Sequence, residues 1–211
     1  MTATLMHDPL TCSLASRIAA AEGDVPLEIA DLNLKTKEFV DGGSLCDINP
    51  LRQVSTLRLD SGEIIIETST VLASIQAQSQ KADFRRDPKD PAYFQMLRWI
   101  AFCATELHKQ IFRIVFYPEA TDAVKDRIRD LAPQRFELLD VYLAGRPFLL
   151  GDSFSAADAY LTWFFVLAER AQVDPTGYDN LCGYRDRMLD RPLIRDLIES
   201  DREMDRVIKA A

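Results

Sequence analysis

The chain has 211 residues, 47% of them hydrophobic and 27% charged, a globular composition long enough to bury a core without disulfide staples. No apolar run reaches the roughly 18 residues of a membrane helix, and no basic stretch, apolar segment and small-residue cleavage site open the chain, which predicts a cytoplasmic protein. A formal charge of −8 and a pI near 4.9 oppose nonspecific binding to nucleic acid or anionic lipid, because the electrostatic contribution would be repulsive.

Residues 3–7 read as a short strand, 12–22 as a helix that Gly23 stops, and 26–32 as a second strand, a βαβ opening. A short helix follows around residues 44–48. Two β-rich runs, 54–59 and 63–66, are joined through Asp60-Ser61-Gly62, a hairpin signal, and 68–78 closes as a helix. The order βαβ, short helix, ββα is thioredoxin-like and occupies residues 1–80. From 81 to 90 charge and proline (Arg85, Arg86, Asp87, Pro88, Lys89, Asp90) predict a linker.

Beyond it, Tyr93, Leu97, Ile100, Ala104, Leu107, Ile111 and Val115 recur at three- and four-residue spacing, predicting one long helix over 91–117. Leu131, Leu138, Leu139 and Tyr142 mark another, which Pro133 should kink or interrupt. Ser155 followed by Asp158 is a variant of the capping box, with Phe154 placed as a hydrophobic staple. Residues 91–211 are therefore all-helical, and the fold class is α/β plus all-α: a thioredoxin-like domain, then a helical bundle.

Cys12 stands where a helix begins, and free N–H groups there favour a thiolate. The four cysteines, Cys12, Cys46, Cys103 and Cys182, form no CxxC pair, which argues against a disulfide framework or a zinc site. Two histidines, His7 and His108, leave little for a metal centre or a triad. By spacing alone His108 shares a stripe with Leu97, Ala101, Ala104 and Phe112 and reads as a core residue, while Thr68 reads as an N-cap.

CSLASRI at 12–18, INP at 48–50 followed by QV at 53–54, IIET at 65–68, ATELHK at 104–109 and FSAADAYL at 154–161 follow one another in an order that resembles the cytosolic glutathione transferases. The likeness spans essentially the whole chain and is closest to the bacterial beta class. It implies glutathione as cosubstrate, with Cys12 beside its sulfur and able to form a mixed disulfide, and Ser13 following as a hydroxyl donor. His108 matches the histidine of the ATELHK segment. Lys35 matches the basic residue that meets the glycine carboxylate, with Lys37 as a nearby substitute. Glu67 and Thr68 match the pair that receives the γ-glutamyl end, and the backbone of Gln53 and Val54 matches the segment that pairs with the cysteinyl part.

The family places a cis-proline after QV. Ser55 stands there instead, so this peptide is either trans in a reshaped loop or cis without a proline. Ala101 and His7 also replace the asparagine and tyrosine frequent in the beta class. The resemblance further implies a hydrophobic second substrate between the halves, near Phe112, Phe116, Tyr117 and Trp163, no metal, and a homodimer. Two alternatives stand beside a glutathione-dependent transferase: a noncatalytic binding or regulatory protein of the same fold, and an enzyme of specialised metabolism that holds glutathione in an altered pose.

Overall fold

The structure, a computed structural model, describes residues 2–210. Strand β1 (Ala3–His7) runs parallel to β2 (Leu27–Asn33), in a register that sets Ala3 beside Leu27 and His7 beside Asp31. The helix between them, α1 (Ser13–Glu22), makes this the expected βαβ unit. β4 (Thr56–Arg58) and β5 (Ile64–Ile66) form the hairpin, closed by Gly62 at φ 85°, a conformation that favours glycine. β4 pairs antiparallel with β1, and α2 (Thr68–Gln78) follows. Sequence reading missed the two-residue β3 (Glu38–Phe39), which pairs with β2 and extends the sheet to the order β3-β2-β1-β4-β5. Two residues are too few to show a period.

The helical half begins with α3 (Pro91–Phe102), capped by the Asp90 carboxylate on the Ala92 N–H. The expected long helix continues, but its middle is a π-helical segment, Cys103–Phe112, followed by α4 (Arg113–Val115). α5 (Asp122–Arg129) and α6 (Ala132–Leu143) are separate helices. Pro133 thus lies in the first turn of α6 rather than kinking a longer helix, where its missing N–H has no partner to lose. α7 (Ala156–Ala171), α8 (Asp179–Leu189) and α9 (Pro192–Ala210) complete the bundle. α7 is its buried axis, and both bonds of the Ser155 and Asp158 capping box form.

Residues 81–90 lack helix and strand but are not a free tether. Phe84 is buried against Phe154, and its carbonyl accepts from Gln76 Nε2. Gln76 Oε1 in turn accepts the Ala156 N–H at 2.8 Å, so one buried side chain of α2 ties this connection to the start of α7. Arg191 grips Glu22 through two hydrogen bonds of 2.8 and 2.7 Å. α1 meets α7 and α9 directly, and its Leu14, Ala15, Ile18 and Ala19 are fully buried. The core therefore runs unbroken across both halves, and it places the first turns of α1 and α2 against the helical bundle.

Candidate functional site

A narrow cleft opens where the two halves meet, between the 49–55 loop, the start of α2, and the π-helical segment with α7. The loop is shaped by Asn49, which is buried: its Nδ2 donates to the Gln53 carbonyl at 2.9 Å and to Thr56 Oγ1 at 2.8 Å, and its Oδ1 accepts the Leu51 N–H. That arrangement presents Gln53 and Val54 to the cleft. The Val54–Ser55 peptide is cis, which decides between the two alternatives the sequence leaves open. The Ser55 hydroxyl takes a hydrogen bond from Ser16 at 3.0 Å and lies 3.4 Å from Thr68 Oγ1.

Glu67 and Thr68 line the same cleft, with Glu67 exposed and Thr68 buried. Thr68 is the first helical residue rather than the cap: Glu67, at φ 69°, holds the cap position, and its carbonyl receives the N–H groups of Thr70 and Val71. The N–H groups of Thr68 and Ser69 therefore begin the eleven-residue α2 beside the cleft, where the helix terminus favours an anionic group.

Cys12 is buried under Val54, its Sγ donating to the Val54 carbonyl at 3.1 Å. Burial pushes its thiol up from the ordinary range, opposed by the Thr68 hydroxyl and the Lys109 ammonium. The expected thiolate at a helix start is thereby corrected for the ligand-free protein. A helix terminus contributes about 0.3–1 kcal/mol, whereas full burial raises a thiol by up to about 3–5 pH units, so burial wins.

Ser13 is likewise turned away from the cleft. Its Oγ lies 2.8 Å from His7 Nδ1 and 3.0 Å from Thr11 Oγ1, inside a buried polar cluster. His7, expected to be a substitute group or simply exposed, is fully buried, and its Nε2–H donates to Asp201 Oδ1 at 3.0 Å. Arg17 pairs with the same oxygen, and Asp201 Oδ2 accepts the Leu10 N–H at 2.7 Å. Trp163 Nε1–H donates to the Leu10 carbonyl at 3.0 Å. The helical half thus holds both backbone polar groups of a residue two positions before Cys12.

His108 lies behind the cleft wall, its Nδ1 2.8 Å from the hydroxyl of Tyr160, which lines the cleft. His108 and Lys109 both belong to the π-helical segment, and of the two it is Lys109, with Ala104, that lines the cleft. Burial, Lys109 and Arg113 lower the His108 imidazole to about 3, leaving it neutral near pH 7. Lys109 and Tyr160 are cleft residues that sequence reasoning passed over. The ATELHK and FSAADAYL runs contain both, but only the docking of the halves brings them to one cleft.

The remaining expected residues are dispersed. Lys35 is exposed outside the cleft wall, its N–H given to Asn33 Oδ1, and Lys37 sits at φ 70° in the same turn. Phe112 stacks on Phe164 with centroids 4.4 Å apart, and Trp163 is buried, so both are core; Phe116 is half-buried and Tyr117 exposed.

The family model of the glutathione S-transferase C-terminal domain matches residues 102–192. Glutathione S-transferase GstA of Escherichia coli O157:H7 is 24% identical over 197 residues, covering 93% of this chain and 98% of the relative. A sphingomonad glutathione S-transferase solved in complex with glutathione superposes with a TM-score of 0.87 at 27% identity, covering 94% of this chain and 98% of that one. The beta-class glutathione S-transferase of Sphingomonas chungbukensis does so at 0.86 and 27%, with the same coverage. No helix among the described residues is long and apolar enough to cross a membrane.

Two measurements check this geometry. Because folded His108 titrates near 3 and an unfolded histidine near 6.5, its neutral burial stabilises the fold above pH 6.5, and that contribution is lost as pH falls toward 3. The His108 ring resonance should stay at its neutral position down to about pH 5; a midpoint near 6.5 would refute the burial. Limiting iodoacetamide should label exposed Cys46 before half-buried Cys182, leaving buried Cys12 and Cys103 last. Early labelling of Cys12 in the ligand-free protein would contradict its protonated, enclosed state.

Proposed function

We propose that this chain is a glutathione-dependent transferase of the cytosolic glutathione transferase family, a reading supported by the matching C-terminal domain model and the glutathione S-transferase relatives, and that its cleft binds the tripeptide along Gln53, Val54, Glu67 and Thr68. The observation that carries this reading is their convergence on one cleft at the start of α2. The Glu67 carboxylate pairs with the γ-glutamyl ammonium, while the Thr68 hydroxyl and the α2 N-terminus receive its carboxylate. The backbone of Val54 pairs with the cysteinyl residue in strand fashion, which brings the sulfur toward Cys12. The glycine carboxylate extends outward toward the exposed Lys35 or the half-buried Lys37.

The bound thiol reacts as thiolate with an electrophilic carbon or a disulfide of a second, hydrophobic substrate that enters between the halves. The thiol proton leaves to water and the nucleophile's electron pair forms the new bond to sulfur as the leaving group departs. Mixed-disulfide formation at Cys12 requires its thiol proton to leave to water and the thiolate to attack glutathione disulfide, expelling one glutathione thiolate, a step that burial of the thiol slows. The protein pairs as a homodimer, with exposed apolar side chains such as Phe94 (63%) and Leu51 (53%) available to an interface.

Calorimetric titration with glutathione tests the binding mode: Glu67→Gln should weaken affinity about tenfold, the worth of a charge-assisted hydrogen bond. Equal affinity of variant and parent would remove the assignment of the γ-glutamyl end. Light scattering should return about twice the chain mass of 23.9 kDa, and a monomer at micromolar concentration would overturn the pairing.

A further inference from the structure

Tyr160 contributes a hydroxyl to the cleft that nothing in the family motifs assigns to it. Its ring is packed on α7, edge-on to His108 and tilted against Trp163, and only 1% of its surface is exposed. The ring is thus fixed, and its oxygen is anchored 2.8 Å from His108 Nδ1. The charged and titratable groups around that oxygen are Cys12 from the start of α1, Glu67 beside the Thr68 hydroxyl at the start of α2, and Cys103 from the π-helical segment. Lys109 and Arg113 act on the imidazole behind it. Tyr160 therefore shares the cleft with the anion-favouring start of α2, on the wall that the helical half supplies, and lies close enough to the buried Cys12 to feel its charge.

We propose that Tyr160 is a catalytic hydrogen-bond donor: His108 Nδ1–H donates to the Tyr160 oxygen, and the phenolic proton, so released, points into the cleft and stabilises the glutathione thiolate. The proposal rests on the glutathione-transferase reading and adds to it the group that activates the thiol. Tyr160 keeps its proton throughout; the proton lost on activation is the thiol's own, and it leaves to water. Burial supports this division of roles, since it raises the phenol well above 10, so that the phenol remains a donor, and keeps His108 neutral. A neutral imidazole carries one N–H, and giving it to the tyrosine oxygen leaves that oxygen's own proton uncommitted. A fixed donor aimed at a developing anion in an enclosed cleft needs no reorganisation when the charge forms.

The test compares the parent protein with Tyr160→Phe, which deletes one oxygen and retains the ring, using glutathione as ligand and an activated aryl halide as electrophile. Ultraviolet absorbance of the bound thiolate is followed against pH, alongside calorimetry and steady-state kinetics. The variant should raise the ionisation midpoint of bound glutathione by about one pH unit or more and lower kcat/KM about ten- to a hundred-fold, the worth of a hydrogen bond to a charged group. Glutathione affinity measured at low pH, where the thiol is protonated, should change less than about threefold, since the lost bond is made to the thiolate. A merely structural role would alter affinity or folding without moving that midpoint. His108→Gln should move it in the same direction, and decides the matter alone if Tyr160→Phe does not fold. An unmoved midpoint in a protein that binds and turns over glutathione overturns the role of Tyr160 only. Failure of the parent protein to bind glutathione overturns the transferase reading, and this proposal with it.

Discussion

The buried Asp201 carboxylate is the interaction on which the site's geometry depends. It comes from α9, near the end of the chain, yet its partners, His7, Arg17 and the Leu10 N–H, all belong to the first βα unit. An isolated carboxylate would not tolerate this burial; Arg17 supplies the opposing charge, and His7 and Leu10 occupy the remaining lone pairs. Removing one partner of such a set costs about 3–5 kcal/mol, because the others are left buried and unpaired. The consequence reaches past stability. Leu10 adopts a positive φ of 61° and is held at its N–H by α9 and at its carbonyl by Trp163 of α7, so the turn into α1 is dictated by the helical half. Cys12 stands where that turn ends.

The same division of labour governs the cleft. The thioredoxin-like half provides a peptide-like groove of backbone and hydroxyl groups, ordered by Asn49 and by the contacts among Ser16, Ser55 and Thr68. The helical half provides Lys109 and Tyr160, the groups suited to charge on sulfur. Ser55 has a physical part in this that proline could not play: its hydroxyl links α1 to α2, and its N–H lies within 3.4 Å of Thr68 Oγ1. The departure from the family's sequence pattern is thus accommodated by a local polar network, and the loop still faces the cleft.

The architecture was largely legible in the sequence because its strongest signals are local. The Gly62 turn and the Ser155 capping box each specify backbone conformation within a few residues, and each appears in the structure. Ordered motifs likewise led to Gln53, Val54, Glu67 and Thr68, which do meet in one cleft. What escaped depends on contacts remote in sequence. Ser13 reads as a site hydroxyl until His7 and Thr11 are seen to engage it. Cys12 reads as a thiolate until Val54 covers it. His108 is singled out through the ATELHK motif, whereas in the structure its neighbour Lys109 lines the cleft, and no composition cue in CATELHKQIF announces the π-helical segment that carries both.

The central claim is that glutathione lies in this cleft with its sulfur between the two halves. Diffraction from a crystal grown or soaked with glutathione tests it most directly. The account predicts difference density with the γ-glutamyl group at Glu67 and Thr68, the cysteinyl backbone along Val54, and the sulfur in contact with Cys12 and the Tyr160 hydroxyl. Density confined to another cavity, such as the one bordered by Phe165, Val173 and Arg185, or a cleft left empty at saturating glutathione, would contradict it.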